Sequence, residues 1–245
     1  MAKEKHLDTA TFTTPSGVEC VIQELTAEAE RGLADREALR TGRAIDRLMR
    51  HAIVSWDGAP LPENDGAAME LLSGLRVGDR NYILLQIRIL TYGAEMVFNS
   101  KCPSCGKTAG YRVDLAEMLA DGELKVWPYR DDVPLIVETR DGPAEVGYLT
   151  GKGERWLASL KEIDPVSLAV AACWKFNGEP PTVGALLKLS AGDLSKIRLA
   201  FMGLKGGLDP NIELDCPKCG GSYGVTIHSI PDFFMPLTSA ETIGR

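Results

Sequence analysis

The sequence predicts an α+β fold in which a four-cysteine site, split between two distant knuckles, ties together remote parts of the chain. Three observations carry this reading. Two C-P-x-C-G knuckles, "CPSCG" at 102–106 and "CPKCG" at 216–220, each sit between short strand-like runs. Segments 10–24 and 134–150 alternate apolar and polar residues around the turn signals "PSG" and "RDGP", the pattern of β-hairpins. The stretches between them repeat apolar residues at three- and four-residue spacings, as amphipathic helices do. With 245 residues, 44% of them hydrophobic, the chain can bury one large core or two smaller ones.

The first hairpin, "TFTTP" and "VECVIQEL", places Val18, Cys20 and Ile22 on one face, so Cys20 reads as a small buried hydrophobe. A helical segment follows from Leu25 to Trp56, with Thr26 as its N-cap and Leu39, Ile45, Leu48, Met49, Ala52 and Ile53 as its apolar stripe. Arginines at 36, 40, 43, 47 and 50, interleaved with Glu37 and Asp46, read as a solvated helix face. A loop rich in Pro, Asp and Gly, 57–66, ends this part. Next come a short helix, a turn and a strongly amphipathic helix that stops at Gly93. Tyr82, Leu85, Ile89 and Tyr92 share its buried side, and Arg80 and Arg88 can pair with acidic neighbours such as Asp79.

The first knuckle follows directly, and then the second hairpin, "PLIVETRDGPAEVGYLT". Three helices, "KGERWLASLKEI", "PVSLAVAACW" and "SAGDLSKIRLAFMGL", fill 152–204 with "TVGALLKL" as a shorter piece; Cys173 is buried, and Trp156 and Trp174 are core anchors. No repeat is evident beyond the two knuckles. In the tail "IHSIPDFFMPLTSAETIGR", Pro231 and Pro236 disfavour both a helix and a central strand. This apolar segment either folds back onto the core or docks on a partner, and Phe233, Phe234, Met235 and Leu237 are its candidate partner-binding residues. The expected organisation is an N-terminal hairpin and helical region, 1–100; a split zinc-ribbon-like module, 101–115 with 212–230; an inserted hairpin and helical domain, 116–211; and an extended tail, 231–245.

Cys102, Cys105, Cys216 and Cys219 are the candidate metal ligands. In each knuckle Pro sets the entry dihedral and Gly permits the positive φ that turns backbone amides toward sulfur. Four thiolates at tetrahedral corners suit one structural Zn2+ per chain and leave no open position for a catalytic water. The 110 residues between the pairs far exceed the spacing of a compact zinc ribbon, so the interval must be an insertion whose ends return to the metal. A redox or iron centre is the alternative, but a thioredoxin-like pair belongs at a helix N-terminus, not between strands. His228, beside a complete set of four cysteines, reads as a surface or packing residue.

The formal charge of −7 gives no global attraction for a phosphate backbone. No run of eighteen apolar residues occurs, and "MAKEKHLDTATF" lacks the apolar stretch of a secretory signal, so a soluble, cytoplasmic protein is expected. There is no G-x-S-x-G, H-E-x-x-H or Walker loop; "GKGER" lacks the spacing of a phosphate cradle, and three scattered histidines supply no triad. The residues point to a non-enzymatic protein of structural or interaction type.

The succession "ELTAEAERGL", "GRAIDRLMRHAI", "GDRNYILLQIRILTYG", "CPSCG" followed by "VDL", and "CPKCGG" before "IPDFFMP" resembles the baseplate hub assembly proteins of contractile-tailed bacteriophages, the T-even-type base plate protein family. The similarity runs from about residue 18 to 236, with Asp79, Arg80, Arg88, Tyr92 and Gly93 on the family-like helix. It implies a non-enzymatic role in building the hub of a tail baseplate, as assembly factor or minor structural component. The implied partners are hub or tape-measure proteins, with neither membrane nor nucleic acid, in the host cytoplasm during assembly or retained in the virion baseplate. The zinc reading rests on the spacing, not on the resemblance. Two other classes remain: a zinc-ribbon nucleic-acid module, for which Lys101, Lys107, Arg112 and Lys218 would supply charge, and a CxxC thiol oxidoreductase.

Overall fold

The structure, a computed structural model, describes residues 7–32, 37–38, 43–229 and 233–234. Strands β1 (Thr9–Thr13) and β2 (Glu19–Gln23) form the expected hairpin, closed by Gly17 at φ 85°. In helix α1 (Ala27–Gly32) the N-cap is as read, the Thr26 hydroxyl accepting from Ala29 N–H at 3.3 Å. Helix α2 (Arg43–Ala52) ends earlier than expected. Ile53–Trp56 is strand β3, paired antiparallel with β2. The chain reverses there because Asp57 and Gly58 both adopt positive φ, 54° and 72°, as a two-residue hairpin turn requires, and strand β4 (Ala59–Pro60) returns beside β3. Of the expected basic face, Arg36 and Arg40 lie outside the described residues, as does Leu39 of the stripe. Arg43 reaches Glu37 at 3.4 Å and Arg50 reaches Asp65 at 3.5 Å.

Helices α3 (Asp65–Gly74) and α4 (Val77–Tyr92) follow, α3 capped by Asn64 and α4 ending at Gly93 with φ 83°. One buried side was expected of α4, but it lies between two cores. Ile83, Leu84 and Ile87 enter the first core with Leu48, Met49 and Ile22, while Leu85, Tyr82 and Ile89 enter the second and Tyr92 turns back to the first. Arg80 does not pair with Asp79. Its guanidinium is buried 2.7 Å from Asp46, which also takes Arg155 at 2.5 Å, and Asp79 accepts from Ser16 N–H at 3.1 Å.

Strands β5 (Glu95–Lys101) and β6 (Thr108–Asp114) make the first knuckle hairpin. Helix α5 (Leu115–Ala120), capped by Asp114, and strand β7 (Val126–Trp127) lead to the second hairpin, β8 (Leu135–Thr139) and β9 (Gly142–Val146). Helices α6 (Gly151–Ser159) and α7 (Pro165–Ala172) follow, α7 with an Asp164–Ser167 capping box. The helix expected to run through Trp174 stops at Ala172, since Cys173–Phe176 is strand β10, added beside β9. Trp174 is half-buried; its indole N–H donates to Tyr148 C=O at 3.2 Å, and its ring lies so close to Gly147 that a Cβ there would meet it at 2.1 Å. Trp156 is likewise half-buried. Helices α8 (Val183–Leu186) and α9 (Ala191–Met202) complete the third core, which draws on Val137 to Leu204. Strands β11 (Gly207–Leu208), paired with β7, and the hairpin β12 (Asn211–Asp215) and β13 (Ser222–Thr226) return the chain to the second core.

The chain therefore folds one succession of elements twice, a repeat not evident in the sequence. Among the described elements, a hairpin, helices, a strand added to the hairpin, a two-residue turn, two helices and a knuckle hairpin occur as 9–114 and again as 135–226. The turns correspond, Asn177 and Gly178 having φ 54° and 81° like Asp57 and Gly58. From α4 onward the match has a constant separation of 114 residues: Gly78 and Gly192, Asp79 and Asp193, Ile83 and Ile197, Gly93 and Gly207, Cys102 and Cys216, Cys105 and Cys219. Each buried aspartate reaches back to the turn of its own hairpin, Asp79 to Ser16 and Asp193 to Arg140 at 3.0 Å.

Candidate metal centre

Each knuckle is built by the same backbone bonds. Cys102 N–H donates to Lys107 C=O at 3.0 Å and Gly106 N–H to Cys102 C=O at 2.9 Å; Cys216 N–H donates to Gly221 C=O at 3.0 Å and Gly220 N–H to Cys216 C=O at 2.8 Å. Gly106 and Gly220 have φ 69° and 72°, values that glycine adopts without steric cost. The two hairpins meet face to face although 110 residues separate the cysteine pairs. Cys102 Sγ lies 3.8 Å from Cys219 Sγ, Cys105 Sγ lies 3.8 Å from Cys216 Sγ, and all four sulfurs fall within 4.8 Å of one another. Four sulfurs about 2.3 Å from a common centre at tetrahedral corners are about 3.8 Å apart, so the cluster has the dimensions of a tetrathiolate metal site.

Its electrostatics suit a cation. The Cys105 N–H, with that of Ser104 and the neighbouring sulfurs, brings the Cys102 thiol down to about 6 against the effect of burial. Gly221 N–H favours the Cys219 thiolate, but the sulfurs of Cys105, Cys216 and Cys102 outweigh it and push this thiol up to about 11. Crowding thus opposes ionising all four unless a positive ion balances them. Cys102 and Cys216 are buried, Cys105 is half-buried and Cys219 is exposed. On one side the Tyr223 hydroxyl donates to that of Tyr111 at 3.1 Å, and Tyr111 stacks on Phe98. Arg112, one of the cations considered for nucleic acid, is paired with Glu95 at 2.9 Å.

Sequence reasoning did not assign the side chain that aims the first knuckle. Arg88 is buried and donates to Gly93 C=O at 2.5 Å and Glu95 C=O at 3.0 Å, fixing the turn from α4 into β5. Desolvation lowers its pKa. A basic residue in the last turns of a helix ending in Gly is the signal for such a cap.

The tail differs from a free docking segment. Phe233 is 1% exposed in the second core, edge-on to His228 at 4.8 Å and to Phe234 at 4.6 Å, and half-buried Phe234 packs on both the first and second cores. Between the two readings of this segment, these two rings fold back, because burying an aromatic ring gains more than a solvated extended strand. Met235 and Leu237 lie outside the described residues. His228 is a packing residue; burial takes its pKa down to about 4, and its Nε2 has no hydrogen-bond partner. Among the described residues no helix is long and apolar enough to cross a membrane.

Residues 63–137 match the family model described as T4 bacteriophage base plate protein. The matched segment holds α3, α4, the first knuckle, α5 and the start of β8, and leaves the second knuckle outside. No curated protein and no solved structure matches the chain. Through this segment, which forms the helix between the first two cores and half of the cysteine cluster, the chain is similar to the T4-type bacteriophage base plate proteins.

Proposed function

We propose that this protein is a non-enzymatic hub component or assembly factor of a phage tail baseplate, stabilised by one structural Zn2+ held by Cys102, Cys105, Cys216 and Cys219. The family implies a structural place in the baseplate and contact with other tail proteins. The observation that carries the metal reading is the 3.8 Å separation of sulfurs from opposite knuckles, which fits zinc–thiolate bonds of about 2.3 Å. Zinc, a closed-shell ion content with four thiolates, would contribute rigidity and no reactive ligand position. Of the histidines, His228 is packed on Phe233, and His51, exposed at the end of α2, borders a cavity with Arg47, Arg50 and Asp65. The apolar cavity of about 300 Å³ lined by Trp127, Tyr129, Tyr148 and Phe201 has neither histidine nor cysteine in its wall. Hub and tape-measure proteins are the partners that this reading names.

Two measurements test it together. Elemental analysis of the purified protein should give one zinc per chain, absent from the Cys102→Ser, Cys216→Ser double variant. Immunodetection in purified tails and in baseplate intermediates should find the protein in one or both. Absence from both refutes the baseplate role, and a metal-free wild type with catalytic disulfide exchange returns the site to redox chemistry.

A further inference from the structure

The second half of the chain leaves bare the surface that the first half has covered. Ser73, Leu85 and Arg88 on α3 and α4 are 0%, 0% and 1% exposed. At the same separation of 114 residues stand Leu187, Leu199 and Met202, which are 62%, 65% and 68% exposed. They are the three most exposed large hydrophobic side chains among the described residues. A terminal repeat normally turns a polar outer face to solvent, and here three apolar side chains take those positions.

Within the chain, Arg88 is held by Gly93 and Glu95 of its own half, and part of the remaining cover over α3 and α4 comes from the second half. Gly151 N–H donates to Leu75 C=O at 3.0 Å and Val77 N–H to Leu149 C=O at 2.9 Å. On α6, Arg155 reaches Asp46 and Lys152 pairs with Glu70. The Asn81 amide donates to Leu208 C=O at 3.3 Å, and Leu85 packs with Leu208 and Ile212. The halves therefore join head to tail, and a head-to-tail contact is not satisfied at its free end.

We infer that the α8–α9 face is an interface for a second copy of this chain, docked by its first half as the second half docks on the first. Charge supports this occupant. Lys196 and Arg198 lie on α9 and Lys188 just after α8, and the aspartate of α9, Asp193, is buried and already holds Lys196 at 2.7 Å. The counterpart of α6 in the first half is α1, which presents Glu28 in its first turn beside Arg31 in its last, while Glu30 already accepts from the Tyr92 hydroxyl. A basic, apolar face on one copy thus meets the Glu28 end of α1 on the next. Repetition of this contact builds a ring where the rotation closes and a chain where it does not.

Sedimentation velocity of the full-length, metal-loaded protein tests the assignment. Wild type should self-associate with rising concentration, less so at high salt because rim charges are screened. Leu199→Asp with Met202→Asp should raise the dissociation constant at least about tenfold, as loss of a central apolar anchor does. These positions are exposed, so near-ultraviolet circular dichroism and zinc content should not change, which separates this outcome from failure of the metal reading. Glu28→Lys, on the opposite surface, should weaken association as well, and combining it with Lys188→Glu should restore it. A monomer up to about 100 µM, or an oligomer indifferent to both sets of variants, overturns the proposal. Capture of a different tail protein by the same face, with the chain itself monomeric, does so too.

Discussion

Removing the metal proposed for the cysteine cluster should loosen the second core by an amount set by the loop that the site closes. The perturbation is chelation, or Cys102→Ser with Cys216→Ser. The sulfur cluster links Cys105 to Cys216 across 110 intervening residues. A cross-link spanning a loop of that size removes chain entropy from the unfolded state worth about 5 kcal/mol. This is a large share of the roughly 5–15 kcal/mol that holds a typical domain folded. Urea unfolding followed by near-ultraviolet circular dichroism is the suitable assay, because Tyr111 and Tyr223 meet beside the knuckles with hydroxyls 3.1 Å apart and report on their packing. The tyrosine signal should be lost at a much lower urea concentration without metal, with little change in slope per unit of surface exposed. A difference below about 1 kcal/mol would refute the reasoning, since the knuckles would then be held together by their cores and not by the ion.

Asp46→Asn should cost about 3–5 kcal/mol, because among the described residues it leaves the buried Arg80 guanidinium with Glu154 at 3.7 Å as its acidic neighbour; equilibrium unfolding in urea checks this. His228 gives a pH dependence with a definite sign. Its folded pKa, about 4, lies below the ordinary 6.5, so the stability of its neutral form is full above pH 6.5 and is lost as pH falls toward 4. Between pH 7 and 5 the wild type should lose about 2 kcal/mol more than His228→Asn, and parallel profiles for the two proteins would rule this out. Gly78→Ala should be severely destabilising, since its Cβ would fall 2.2 Å from Gly206 C=O and 2.7 Å from Gly207 Cα, both backbone atoms. Gly74→Ala, which meets nothing within 4 Å, should be neutral or slightly stabilising in the same thermal-melt comparison.

What was legible in the sequence was what the chain writes locally. A knuckle is five residues long, Gly93 stops α4 where it stands, and the "RDGP" turn closes β8 onto β9. The sequence reads as helix through Ile53–Trp56 and again through Cys173 and Trp174 because each stretch continues an apolar run from a helix, and such a run has no period of its own. The "DG" and "NG" that follow them were the available signal: both are hairpin turns, and a turn of that kind demands a strand before it. The repeat stayed hidden because the two halves keep a few glycines, aspartates and cysteines in common while many positions between them differ in kind, Ser73 against Leu187 and Arg88 against Met202. Arg80's true partner, Asp46, was beyond reach for another reason, since nothing local relates residues on different helices.

The order in which the ribosome makes the chain gives the split site a sense of time. The segment that matches the base plate family is complete by residue 137, yet it holds only two of the four cysteines. At about 5–20 residues per second, the second pair emerges roughly 6–23 s after the first. During that interval the first knuckle can offer an ion only half a coordination shell. A chain cut short anywhere in the second half never gains the rest, so a filled site marks a polypeptide that has been synthesised past Cys219 and has brought its two halves together.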